Sequence, residues 1–474
     1  MIALKILPSI DKILSWPETK KLTSDYGLPL TKFAAQSSIR EFREQMVAGG
    51  DAPAVADIVL KMEAMVKSIG SPSLKPVING TGIILHTNLG RAPFDKGLFD
   101  EVKESLTGYN NLELDLETGQ RGNRYGHASK ILTFITGAED VLVVNNNAAA
   151  ILFLLHVFAK GRECIISRGE LVEIGGSFRL PEIMEASGSI MREVGATNKT
   201  RLSDYKKAIN VHTAALLKVH KSNFVMNGFT QEVSISELAP LAREHQILSI
   251  YDIGSGLVQK VKHVDFPNEP TVKEAIESGV DLVCFSGDKL FGGCQAGIIA
   301  GKSEYINVLK KHPMLRALRV DKTTIAILEA VSLRYLDEKK LLEQNAIFST
   351  KSKNLSQIVY LSEYISENLT LKGIDNRVTC SNGQYGGGSM PDQTIDSYSV
   401  VLTLSKELKA SGFAKELHIA LLQSDKPLLS NLIKGEVHIN MLCIGDHQKD
   451  TIVDIISNSY EALYHRNGGT RRPR

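Results

Sequence analysis

SGDKLFGGCQAG, residues 286–297, stands directly behind the apolar run Leu282–Phe285. A run of that kind reads as a strand, so Lys289 sits at a strand exit and is followed closely by Gly292 and Gly293. This is the layout of a pyridoxal phosphate enzyme. Its lysine must reach the cofactor aldehyde from a fixed backbone, and glycines let the chain fold tightly around ring and phosphate. Taken alone, the same string also suits a surface lysine in a glycine turn.

Two further stretches work outward from it. YDIGSG (251–256) follows the apolar run 247–250 and puts Asp252 at a strand end, one strand–helix–strand unit before Lys289. A carboxylate there suits the pyridine nitrogen, which must stay protonated for the ring to accept electrons. An aspartate before glycine is also a common turn cap. VVNNNAAAILFLL (143–155) reads as strand, asparagines and Ala-rich helix. The helix start around Asn146, Asn147 and Ala148 offers backbone N–H groups to a phosphate, although asparagines are ordinary N-caps as well. Phosphate cup, carboxylate and lysine thus follow one another in the order of a large-domain pyridoxal phosphate fold.

Composition agrees. The chain has 474 residues, 43% of them hydrophobic, enough for a large core and more than one domain. A net charge of +2 means that any nucleic-acid contact depends on local patches. Five scattered cysteines with no CxxC pair suit a reducing cytoplasm and offer no metal site. The apolar run from Ala148 is interrupted by His156 and is too short for a membrane span, and the N-terminus carries no signal-peptide pattern.

Along the chain, residues 1–70 read as helical, with apolar residues at helical spacing through Ile39, Phe42, Met46 and through Val55, Ile58, Val59, Met62, Met65. Gly70-Ser-Pro-Ser73 reads as a boundary. The runs Val141–Val144, Cys164–Ile166, Ile190–Val194, Ala215–Val219, Ile247–Tyr251, Asp281–Phe285 and Ile298–Ala300 alternate with helical patterns. Such alternation predicts an α/β fold with a mostly parallel sheet covered by helices. A large domain over 71–322 is expected, then one long helix over Thr323–Asn345 leading into a small α+β domain that reaches residue 465. The basic tail 466–474 is expected to be disordered.

Several strings carry a family resemblance: NGTGIILHTNLGRAPF (79–94), GNRYGH (122–127), SRGELVEIGGSFRLPEIM (167–184), EVGATNKT (193–200) and GGGSMP (386–391), together with NNNAAA and SGDKLFGG from the stretches above. With them the chain resembles bacterial L-seryl-tRNA(Sec) selenium transferase, also called selenocysteine synthase. Lys221 stands where the family pattern has a small hydroxyl residue, and Cys294 where it has proline. The stretch 436–446 matches the family's closing strand poorly.

The resemblance implies a fold-type-I (aminotransferase-like) pyridoxal phosphate enzyme with a seven-stranded large domain. It would act on serine-charged tRNA(Sec), removing the seryl hydroxyl by β-elimination and adding selenium from selenophosphate. Lys289 would hold the cofactor and move the α-proton, and Asp252 would face the ring nitrogen. Asp288 would orient the lysine or protonate the leaving hydroxyl, an aspartate that equally suits a turn. Asn146, Asn147, Ala148, His220, Asn223 and Ser286 would contact the cofactor, and Arg91, Arg124, Arg316 and Arg319 the selenophosphate anion. Arg316 and Arg319 lie three apart, on one face if that segment is helical. The resemblance also implies a homodecamer, a pentamer of dimers, and an N-terminal domain that grips tRNA. That domain is nearly neutral, with nine Lys/Arg against eight Asp/Glu over residues 1–70. Lys20, Lys21, Lys32, Arg40 and Arg43 are its candidate contacts. Two alternatives stay open: a pyridoxal phosphate lyase for a small amino acid or amino-sugar acid, and a non-catalytic tRNA-binding module.

Overall fold

The seven apolar runs form one sheet in the computed structural model, which describes residues 7–174, 178–262, 264–386, 388–405, 408 and 411–466. The basic tail expected from 466 onward lies outside the described residues except for Arg466, which ends a helix. The chain divides into two compact units, Met1–Pro76 and Val77–Arg474.

Among the described residues the first unit has four helices, α1 (Ile10–Leu14), α2 (Pro17–Tyr26), α3 (Leu28–Val47) and α4 (Val55–Gly70). Of the residues at the helical spacing noted above, Ile39, Ile58 and Met62 are buried with Val66, Ile13, Leu22, Ala34 and Ala35 in a core of their own, whereas Val55 is exposed. Each such large aliphatic side chain contributes roughly 1.5–3 kcal/mol by leaving water.

The second unit is built on the strands β1 (Asp140–Val144), β2 (Glu163–Ser167), β3 (Ile190–Val194), β4 (Thr213–Val219), β5 (Leu248–Gly254), β6 (Leu282–Ser286) and β7 (Gly297–Gly301). Their order across the sheet is β1-β7-β6-β5-β4-β2-β3. β7 runs antiparallel to both neighbours, β1 and β6, while β6, β5, β4, β2 and β3 pair in parallel. β4 to β7 are buried along their whole length, which is why they read as unbroken apolar runs. One face packs against helix α5 (Asn147–Ala159), whose Phe153, Leu154 and Leu155 are fully buried.

After the sheet come the short helix α6 (Leu315–Leu318), then α7 (Lys322–Arg334), α8 (Glu338–Gln344) and α9 (Leu355–Leu371). A four-stranded antiparallel sheet follows, of β8 (Asn376–Gly386), β9 (Ser389–Leu402), β10 (Asn431–Ile433) and β11 (Glu436–Asn440), in the order β8-β9-β11-β10. The single helix expected over 323–345 is therefore two helices. Asp337 accepts from the backbone N–H groups of Lys339 and Lys340 at 2.9 and 3.2 Å and starts α8 afresh. The break serves the site, because Tyr335 and Asn345, on either side of α8, both donate to the Phe291 carbonyl, at 2.8 and 2.9 Å.

Candidate active site

Lys289 lies in a tight loop between β6 and β7 and is buried. Its backbone is held from several sides. Leu290 N–H donates to Ser255 O at 2.9 Å, Ala92 N–H to Asp288 O at 3.2 Å, and Gly287 N–H to Ala296 O at 2.9 Å. Three of the strings singled out by sequence, around residues 92, 255 and 288, therefore meet at this lysine. A fourth closes over it: a Cβ built on Gly388 would stand 3.2 Å from Lys289 Nζ. Gly388 also has φ +79°, a conformation that favours glycine. Burial, helped by the nearby Arg91 guanidinium, holds the Lys289 amine below the ordinary lysine range, while Asp252 and Asp288 oppose the shift.

Asp252 is buried near the end of β5, where the pairing with β6 slips by one residue between Asp252 and Gly254. Bulges of this kind re-aim side chains next to sites. Asn147, in the first turn of α5, donates from Nδ2 to Asp252 Oδ1 at 2.8 Å. Burial pushes the Asp252 carboxyl above its usual range, against the pull of Asn147 and Lys289. Asn146 N-caps α5, its Oδ1 accepting from Ala149 N–H at 2.8 Å, so the two asparagines divide the work of cap and carboxylate partner. Ala148 follows them in the helix start. Ser286 ends β6, is buried and pairs with Gly297 of β7.

His220 donates its backbone N–H to Asp252 O at 2.8 Å, which roots the residue beside the carboxylate. Asn223 donates from Nδ2 to Glu173 O at 2.6 Å. Together with Ser222, Gly388 and Ser389 it lines a pocket on the Gly388 side of Lys289. A larger cavity of about 310 Å³ opens past His220, Lys221, Met390 and Pro391.

The arginines divide. Arg91, held at φ +60°, donates from Nη1 to Asp288 Oδ2 at 2.6 Å and so joins the lysine. Arg124 holds Glu113 through Nε and Nη2 at 2.8 and 2.5 Å and donates from Nη1 to Val320 O at 2.8 Å. Arg319 adds to the positive charge that lowers Glu113. The expectation that Arg316 and Arg319 share a helical face is corrected: α6 ends at Leu318, and Arg319 is extended, with ψ 143°. The segment is nonetheless tied to the site, since Asn145 N–H donates to Leu318 O at 3.1 Å. Arg316 is exposed on α6. Of the two departures from the family pattern, Lys221 pairs with Glu232 at 3.1 Å and Cys294 Sγ faces Thr324 O at 3.7 Å.

Sequence reasoning passed over Lys218 and Glu170. They form a buried pair at 2.9 Å, and Glu170 also accepts from Val219 N–H at 3.0 Å. A lysine inside the apolar run 215–219 was the available signal.

Pyridoxal phosphate, the cofactor implied by the resemblance, fits these residues. The fit shows in buried polar atoms on the elements around Lys289 that find no partner among the described residues: Asn147 Oδ1, Asn223 Oδ1, Ser255 Oγ and Ser389 Oγ. A buried amine, a buried carboxylate and a helix start facing one space supply imine partner, ring-nitrogen partner and phosphate donors.

A family model described as L-seryl-tRNA selenium transferase matches residues 77–445. The chain belongs to that family. The match begins where the second compact unit begins, at Val77. Relatives extend further. The L-seryl-tRNA(Sec) selenium transferase of Wolinella succinogenes is 44% identical over 462 residues, covering 96% of this chain and 99% of its own. That of Geotalea daltonii is 41% identical over 442 residues, covering 92% and 94%. Among solved structures, a D-glucosaminate-6-phosphate ammonia-lyase superposes with a TM-score of 0.59 at 17% identity, over 82% of this chain and 96% of that one. The likeness shows a shared fold, that of fold-type-I pyridoxal phosphate enzymes. As a selenium transferase of this family the chain is an enzyme of the transferase class, which sets aside the non-catalytic reading. No helix among the described residues is long and apolar enough to cross a membrane.

Proposed function

We propose that this chain converts serine-charged tRNA(Sec) into its selenocysteinyl form, with pyridoxal phosphate bound at Lys289 and selenophosphate as selenium donor. The observation that carries the reading is the meeting of four of the strings singled out by sequence at one buried lysine with a depressed amine. Bound pyridoxal phosphate supplies an electron sink for the charge left when the seryl α-proton departs. The residues do the rest. Asp252, steadied by Asn147, keeps a ring nitrogen protonated. Lys289 Nζ is uncharged more readily than an ordinary lysine, so it can take the α-proton and later return it. Asp288, gripped by Arg91 at 2.6 Å, stands beside it as the anion that orients the lysine. The net exchange replaces OH by SeH on one carbon and turns selenophosphate into phosphate.

Arg91, Arg124, Arg316 and Arg319 would receive the selenophosphate anion, since guanidinium forks suit phosphate oxygens. The N-terminal unit would grip the tRNA through Lys20, Lys21, Lys32, Arg40 and Arg43, candidates carried on its helices. A homodecamer in the cytoplasm completes the proposal. The exposed Tyr109, Leu116 and Phe134, in the region that carries Arg124, support a subunit contact there. The test is direct: purified protein with pyridoxal phosphate, selenophosphate and seryl-tRNA(Sec) should yield selenocysteinyl-tRNA. Turnover of a free amino acid with none of the charged tRNA would favour a lyase instead.

A further inference from the structure

Glu269 belongs to none of the strings that identify the site. Its side chain is 3% exposed, and its Oε2 accepts from His220 Nε2 at 3.3 Å. The other oxygen, Oε1, is buried with no donor among the described residues. A buried carboxylate left half satisfied is costly, and such groups persist where function keeps them.

The loop that carries it is built to hold it still. In FPNEP (266–270), Pro267 and Pro270 flank the pair Asn268–Glu269, and Asn268 sits at φ +61°. Phe266 anchors the loop in the core, its ring 5.5 Å from Phe348 and 5.6 Å from Tyr385. Local strain, a buried charge and an unsatisfied oxygen thus occur within three residues, the pattern of a functional constraint.

His220 is the one group on which this loop acts directly by side-chain hydrogen bond among the described residues. Its backbone is fixed to Asp252, and its neighbours are spoken for, Lys221 by Glu232 and Lys218 by Glu170. Because a carboxylate only accepts, Nε2 must be the donor in the contact with Glu269, which leaves Nδ1 as the second ring nitrogen.

We propose that Glu269 is a positioning residue for His220: it fixes the ring and its Nε2–H so that Nδ1 is presented to the bound cofactor. The inference rests on the reading of this site as a pyridoxal phosphate site. It differs from that reading in naming a residue outside the site that sets how the cofactor is held.

The test uses the full chain before any tRNA is added. Cofactor affinity and absorbance spectrum are measured for the wild type, Glu269→Gln, His220→Ala and the double variant. A glutamine can donate to the imidazole and reverse its tautomer, so the cofactor Kd of E269Q should rise by about tenfold or more, as for other partners that orient a histidine. The double variant should bind no worse than H220A, since Glu269 acts through His220. Wild-type Kd and spectrum in E269Q would overturn the proposal, and so would losses that multiply in the double variant. Should E269Q fail to fold, Glu269→Asp, which keeps the charge but shortens the reach, replaces it in the same cycle: a weakened Kd that vanishes in the H220A background supports the proposal, and an unchanged Kd overturns it. No cofactor uptake by the wild type would overturn the site reading itself, whereas uptake with an indifferent Glu269 overturns only this role.

Discussion

Arg91 Nη1 donates to Asp288 Oδ2 at 2.6 Å across 197 positions of sequence, and the acid it grips is the residue next to Lys289. The pair sets the electrostatics of the lysine twice over. The guanidinium depresses the Lys289 amine, and the same guanidinium balances an aspartate that would raise it.

Arg91→Ala therefore raises the Lys289 value on both counts. The midpoint for covalent cofactor attachment, followed by absorbance against pH, should move to higher pH. A midpoint that moves down would contradict the geometry. The same sign governs stability of the cofactor-free protein. The folded value lies below the unfolded one, so between the two the unfolded chain binds more protons and stability rises with pH.

Lys289→Ala should give a colourless protein. Borohydride reduction of the wild type should leave one pyridoxyl adduct, mapped by peptide mass to Lys289, and an adduct on another lysine would displace the assignment.

Asp252→Asn should still bind cofactor but lose seryl α-proton exchange by about 10²-fold or more, on the scale usual for a group that controls proton transfer. Asn147→Ala removes the hydrogen bond that steadies Asp252 and should give a smaller loss in the same direction. Deuterium exchange monitored by mass spectrometry checks both.

Gly297→Ala tests packing. A methyl group there would run into the Asn146 carbonyl, at the cap of α5. The substitution should cost about 1–3 kcal/mol in denaturant unfolding and also weaken cofactor binding, because the collision lies at the phosphate end of the site.

Deleting residues 1–76 removes the first compact unit whole. The remainder should keep its cofactor while tRNA(Sec) affinity, measured by filter binding, is lost. Undiminished affinity would place recognition elsewhere.

The sheet was readable because its central strands are buried on both faces, so they appear as unbroken apolar runs bounded by turn residues. Lys289 and Asp252 were readable because each stands at the end of such a run. What sequence could not show are pairings across long separations. Asn147 looks like a phosphate ligand beside a cap, yet its amide serves Asp252, 105 positions away. Arg124 reads as a free cation until the fold brings the Val320 carbonyl, 196 positions away, to it. The break between α7 and α8 was masked because Tyr335 and Leu336 continue the apolar pattern, although Asp337, which caps α8, was the available signal.

The antiparallel strand β7 has a consequence for the order in which the molecule is made. It is the last of the seven to leave the ribosome, yet it lies between β1 and β6. Until about residue 301 has emerged, β1 has no neighbour in the sheet, and the helix start carrying Asn146 and Asn147 cannot be fixed against Asp252 and Lys289. Strand pairings this distant close slowly. A ribosome-bound fragment ending before β7 should therefore be unable to retain cofactor, and addition of this one strand turns the nascent chain into a holoenzyme precursor.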